Sequence, residues 1–171
     1  MDLKYYFSKI FEKNNSDSLL LHSSLLFKKE EIFKESLDDI KEAIEDLSRK
    51  GFTFILPSYT FSFCKNNFYS TITSKSEVGI LPDLIHRDLC GSIRSNHPIY
   101  SHVFIGPRSN SMANLFGKTP FGEESIFELL EKINGSYALL NCGWEYATIF
   151  HRYEELMRVD YRYYEKFKGE I

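Results

Sequence analysis

The chain has 171 residues, 43% hydrophobic and 16% aromatic, with a formal net charge of −3. At this length a globular chain buries roughly 70% of the surface its unfolded form exposes, so one domain over residues 1–171 is expected. The weak acidity excludes the broad basic face of a nucleic-acid binder. No window approaches ~18 consecutive apolar residues, and three cysteines without C-x-x-C spacing (Cys64, Cys90, Cys142) fit a reducing compartment, so the expectation is no membrane insertion and a cytoplasmic location.

Leu3, Tyr6, Phe7, Ile10 and Phe11 lie on one helical face over residues 2–13, mixed with charges rather than arranged as an export signal. Asn14 to Ser18 breaks that pattern, and Leu19-Leu20-Leu21 reads as a buried strand ending at the polar His22-Ser23-Ser24. From Lys29 to Lys50 the apolar positions Ile32, Phe33, Leu37, Ile40, Ala43, Ile44 and Leu47 recur at three and four, a helix stopped by Gly51. The β-branched and aromatic run Phe52 to Leu56 is a strand closed by Pro57. Strand, helix, strand predicts a parallel crossover unit.

Ser58 to Ser76 has no clear period and reads as loop with short strands. Val78 to Leu89 reads as a helix started by Ser76, with His86 on its polar, solvent side. Gly91 to Ser101 is irregular, and Val103-Phe104-Ile105 is a strand closed by Gly106-Pro107. Ser125 caps a helix through Lys132, ended by Asn134-Gly135. Tyr137 to Leu140 is the last strand, and a helix carrying Thr148, His151 and Glu154 follows Asn141-Cys142-Gly143. The alternation gives an α/β fold, three layers α/β/α around a central, mostly parallel sheet. Ligands in such sheets bind beyond the carboxyl ends of strands, which puts His22-Ser23-Ser24, Ser58-Tyr59-Thr60 and Asn141-Cys142-Gly143 on one candidate rim.

Several residues there suit group transfer. Ser23 and Ser24 offer hydroxyls and backbone N–H groups to a phosphate or an amide. Arg94-Ser95-Asn96-His97-Pro98 joins a permanent cation to a hydroxyl and an imidazole, a grip suited to phosphates unless Arg94 pairs a local carboxylate. His151 and Glu154, three apart on a helix, share a face, and imidazole is the base whose ordinary pKa lies nearest neutrality. Cys142 allows a thiol-nucleophile reading beside a packing one. His97 and His102 lack the further ligands that zinc needs, so no metal is expected.

The segments around these residues occur in a recognisable order. A strand ends in His22-Ser23-Ser24, the next ends in Pro57 before Tyr59-Thr60, and a glycine-containing helix leads to Arg94-Ser95-x-His97-Pro98-x-x-Ser101. A Phe121-Gly122-Glu123-x-Ser125 turn and a Thr148-x-x-His151-x-x-Glu154 helix follow. Over residues 18–162 this order resembles the aminoglycoside 3-N-acetyltransferase family.

The resemblance implies an enzyme transferring acetyl from acetyl-CoA directly to an amino group of an aminoglycoside or other amino sugar. It implies His151 as catalytic base with Glu154 assisting, and His22, Ser23, Ser24, Arg94, Ser95, His97 and Ser101 as coenzyme A contacts. Glu123 and Glu154 would face the acceptor, and a homodimer is compatible with it. Two departures stand out: family members run about a hundred residues past the His-x-x-Glu helix, and Leu26-Phe27-Lys28-Lys29 replaces a glycine-rich continuation after Ser24. A shortened homologue that binds coenzyme A or a partner chain without turnover is the alternative.

Overall fold

The computed structural model describes residues 2–25 and 37–171. Helix α1 (Leu3–Asn14) starts at Asp2, whose carboxylate accepts the Tyr5 N–H, and ends at left-handed Asn15. Strand β1 (Ser18–Ser23) follows, then α2 (Leu37–Arg49) and β2 (Thr53–Pro57). The expected helical start at Lys29, with Ile32 and Phe33, and the segment Leu26 to Lys29 lie outside the described residues. Next come a four-residue helix α3 (Phe63–Asn66), α4 (Leu81–Asp88), a two-residue strand β3 (Ile93–Arg94), β4 (His102–Ile105) and α5 (Ser109–Ala113). The chain continues through α6 (Ile126–Lys132), β5 (Ser136–Leu140), a 3₁₀ turn (Trp144–Tyr146) and α7 (Ile149–Leu156).

Among the described residues the sheet has five strands in the order β3-β4-β2-β1-β5. β1 pairs in parallel with β2 and with β5, while β4 runs antiparallel to β2 and β3. Four strands therefore point one way, and β4 alone is reversed.

Side chains alternate across a strand, so each apolar run feeds two cores. Leu19, Leu21, Phe54, Leu56, Val103 and Ile105 pack under α1, α2 and α4, with Phe7, Ile44 and Ile85 fully buried. Their neighbours Leu20, Ile55 and Phe104 face the other way, against Met112 of α5, Phe121, and Ile126, Phe127 and Leu130 of α6. Both faces of β2 and β4 are covered, which is why these strands read as continuous apolar runs without polar alternation. Layers α/β/α result.

Two local expectations change. α4 begins at Leu81, not Val78: the Ser76 N–H donates to the Asp83 carboxylate at 3.0 Å, and Ser76 Oγ accepts the Val78 N–H at 3.3 Å in a turn before the helix rather than at its cap. Pro82, in the first turn, has the φ a helix start needs. His86 is half-buried rather than solvent-facing, its ring bridging the Thr71 carbonyl (3.0 Å) and the Ser92 hydroxyl (3.3 Å). Gly106, at φ 124°, closes β4 where a Cβ would collide with the Phe52 carbonyl.

Candidate active site

Because β1, β2 and β5 are parallel, their carboxyl ends meet at one edge of the sheet. The Ser24 N–H donates to the Leu140 carbonyl (3.0 Å), and the Asn141 amide donates back to the Ser24 carbonyl (3.0 Å), joining the ends of β1 and β5. From the end of β2 the buried Tyr59 hydroxyl donates to Thr148 Oγ1 at 3.0 Å, and Thr148 Oγ1 lies 3.2 Å from His22 Nε2. Burial pushes His22 down to about 4, so its ring is neutral near pH 7. Thr148 Oγ1, which accepts the Tyr59 O–H, therefore links Tyr59 to the His22 ring. The expected rim thus exists, tied to the N-terminus of α7.

α7 is fixed by Arg152, 5% exposed, which donates to the Phe121 carbonyl (3.0 Å) and to Glu131 of α6 (3.1 Å). One position away, on the open side, His151 Nδ1 lies 2.8 Å from Glu154 Oε2. The His151 side chain is 43% exposed, and its ring packs edge-to-face with Phe121, centroids 5.2 Å apart. The Tyr161 hydroxyl donates to Glu154 Oε1 at 3.1 Å, and Arg162 lies 3.2 Å from Oε2. His151, Tyr161 and Arg162 together hold the Glu154 carboxyl below its usual range. A carboxylate that stays ionised and accepts from Nδ1–H leaves Nε2 free to take a proton.

Beside this pair opens a cavity of about 830 Å³ lined by Glu154, Glu155, Phe121, Thr119, His97 and Tyr100, and by Lys118, Arg158, Arg162, Lys166 and Lys168. His97 Nδ1 accepts the N–H groups of Ile99 (3.3 Å) and Tyr100 (3.0 Å), so the proton of the neutral ring sits on Nε2. Burial lowers this imidazole to about 4. Glu123 is exposed on its turn. The carboxylate that ties that turn to α7 is Glu155, whose Oε1 accepts the Thr119 hydroxyl at 2.5 Å.

Arg94 sits apart from this opening. It is 4% exposed and donates from Nε to Ser101 Oγ (3.2 Å), from Nη2 to the Ser58 carbonyl (2.6 Å) and Thr60 Oγ1 (2.8 Å), and from Nη1 to the Ser74 carbonyl. These acceptors are neutral: among the described residues no carboxylate hydrogen-bonds to Arg94, and Asp83 acts on it through its charge alone. Ser101 is fully buried, and Ser95 Oγ accepts the His102 N–H at 3.0 Å. Among the described residues His102 Nε2 and Ser58 Oγ are buried without a hydrogen-bond partner, and burial lowers His102 to about 3. Burial pushes the Cys142 thiol up, which keeps it protonated and a poor nucleophile. No group of three His, Cys, Asp or Glu side chains able to hold a metal ion occurs among the described residues, nor any helix long and apolar enough to cross a membrane.

The model of the family described as aminoglycoside 3-N-acetyltransferase matches residues 22–171. The chain belongs to this family. Its fold is that of solved aminoglycoside 3-N-acetyltransferases. The apoenzyme of aminoglycoside acetyltransferase AAC(3)-IVa superposes with a TM-score of 0.73 at 22% identity, over 92% of this chain and 61% of that one. AAC-IIIb, solved as a binary complex with CoASH, gives 0.69 at 17% identity, over 90% and 64%. The YokD protein from Bacillus subtilis gives 0.70 at 20% identity, over 94% and 72%. The chain therefore spans a little over three fifths of the length of the first two. A search of the curated proteins finds no match by sequence.

Sequence reasoning placed Tyr59 on the rim and Phe121 in a motif without giving either a role, and it did not single out Tyr161 or Arg162 as members of this candidate site. Tyr161 and Arg162 lie beyond the helix, where periodicity carries no signal. Their adjacency shortly after the His-x-x-Glu pattern is the one cue available.

Proposed function

We propose that the protein transfers an acetyl group from acetyl-CoA to an amino group of an aminoglycoside or another amino sugar, with His151 as general base. The supporting observation is the His151–Glu154 pair, 2.8 Å apart, at the edge of a large cavity whose wall mixes aromatic and charged side chains. An amine at neutral pH is protonated and cannot attack until that proton leaves. His151 Nε2 takes it and releases it to solvent, the nitrogen forms a bond to the acyl carbon, the carbon–sulfur bond breaks, and the second proton, now on the positively charged nitrogen, passes by way of His151 Nε2 to the departing thiolate. Acetyl-CoA supplies the acyl group already activated as a thioester.

The residues present fit such a donor. Lys118, Arg158, Lys166 and Lys168 on the cavity wall suit anionic phosphates, and the His97 Nε2–H is a neutral donor for a carbonyl. Ser23 and Ser24 contribute polar groups at the strand rim. Arg94, Ser95 and Ser101, buried and bonded inward, act as the frame of that wall rather than as contacts. The carboxylates Glu154 and Glu155 face the acceptor's ammonium groups, with Glu123 at the outer turn.

Release of free thiol from acetyl-CoA in the presence of amino sugars, lost in His151→Ala, is the expected result. Calorimetric binding of acetyl-CoA without thiol release toward any amino sugar would replace this reading with binding alone, and no binding at millimolar ligand would remove both.

A further inference from the structure

Resting on the reading of His151 as base, we propose that Tyr161 and Arg162 are positioning residues that clamp the Glu154 carboxylate and so hold His151 in its Nδ1–H tautomer. The chain meets the pair a second time because α7 ends at Leu156 and left-handed Arg158, at φ 51°, turns it back. That return places the Tyr161 hydroxyl 3.1 Å from Glu154 Oε1 and Arg162 Nη1 3.2 Å from Oε2, while Oε2 also faces His151 Nδ1 at 2.8 Å. Both carboxylate oxygens thus have a donor besides solvent.

Arg162 reaches further. Its Nη1 donates to the His151 carbonyl at 2.8 Å, and its guanidinium lies 5.4 Å from the Phe121 ring, which packs edge-to-face with the His151 imidazole. One side chain therefore touches the carboxylate that orients the imidazole, the backbone that carries it and the ring that supports it. Glu154 has three side-chain torsions, and holding them in one arrangement has an entropic cost that a lone imidazole contact meets poorly. An ionised carboxylate can only accept, so the donor facing it is Nδ1–H; clamping both oxygens keeps the carboxylate at that donor, and Nε2 keeps its lone pair for the substrate proton. Tyr161 itself is 68% exposed, so its hydroxyl is an addition to the site and not part of the core.

Nitrogen-15 NMR of the His151 ring in the full chain, in mildly alkaline buffer, reads the tautomer directly and needs no turnover. The parent should show the Nδ1–H form with a slowly exchanging, downfield ring proton. The Tyr161→Phe/Arg162→Gln double variant should show a mixture of tautomers and lose that proton, and Arg162→Lys should fall between, keeping the charge without the planar guanidinium. In acetyl transfer the double variant should lose roughly tenfold in kcat with KM little changed. Tyr161→Phe alone, removing one exposed hydroxyl, serves if the Arg162 variants do not fold. An unchanged tautomer in folded variants overturns the proposal even if turnover falls. A parent that transfers no acetyl group but loses its tautomer in the variants overturns only the proposed reaction.

Discussion

Two arginines, Arg94 and Arg162, mark two regions that the same residue type organises in opposite ways. Arg94 is buried against neutral oxygens of Ser58, Thr60, Ser74 and Ser101, with the face of Tyr69 5.2 Å from its guanidinium. Arg162, 29% exposed at its side chain, faces the Glu154 carboxylate and the His151 backbone at the cavity. The first knots three loop segments to the end of the sheet; the second meets the proposed base pair on a side open to solvent. A guanidinium enclosed by carbonyls is framework because its removal leaves several acceptors stranded, whereas one at an open carboxylate tunes a site at small cost to the fold.

The sharpest way to break this comparison is to delete the base. His151→Ala should lower acetyl transfer by roughly 10²–10⁴-fold, as expected for loss of a general base, with thermal stability nearly unchanged. A thiol-release assay beside a melting curve checks both halves, and a collapse of stability would merge the two regions. Next, Arg94→Met should destabilise the fold by about 3 kcal/mol, because buried carbonyl acceptors lose their donors. Urea unfolding measures it; a stable variant that had lost acetyl-CoA affinity would turn Arg94 into a contact residue.

Acid should act on the fold before it reaches the carboxylates. His22, His97 and His102 are lowered by burial to about 4, 4 and 3, from an ordinary value near 6.5. The unfolded chain therefore binds protons that the folded one refuses, so stability is whole above pH 6.5 and falls as pH drops toward 4. Tm should fall by roughly 5 °C or more across that window, and His102→Gln should flatten the slope. Glu154, held below the usual carboxylate range, adds its own loss only at still lower pH. Smallest of all, Arg49→Ala, which removes an exposed i,i+4 pair with Glu45, should change stability by less than about 0.5 kcal/mol in a denaturant titration. It calibrates the Arg94 result.

Much of the architecture was legible from periodicity. The runs Leu19 to Leu21 and Phe52 to Leu56 gave the two central parallel strands, and Ser125 with Asn134-Gly135 bounded α6, because caps and apolar spacing act within a few residues. The reversal of β4 was not legible, since a short apolar strand reads alike in either direction. Helix α5 was missed too: Ser109 to Ala113 is polar at most positions and is held by Met112 and Ala113 packing under the sheet.

By itself, then, the sequence determined the strand and helix alternation, the shared face of His151 and Glu154, and the resemblance to the family whose model matches residues 22–171. Only the tertiary structure decided what each polar side chain faces. Arg94 and Arg162 each sit near plausible partners in the sequence. Burial and the return of the chain after Arg158 sent one guanidinium into a shell of carbonyls and the other onto a carboxylate. Those outcomes depend on contacts between residues distant along the chain, such as Arg94 with Ser58, for which local patterning holds no signal.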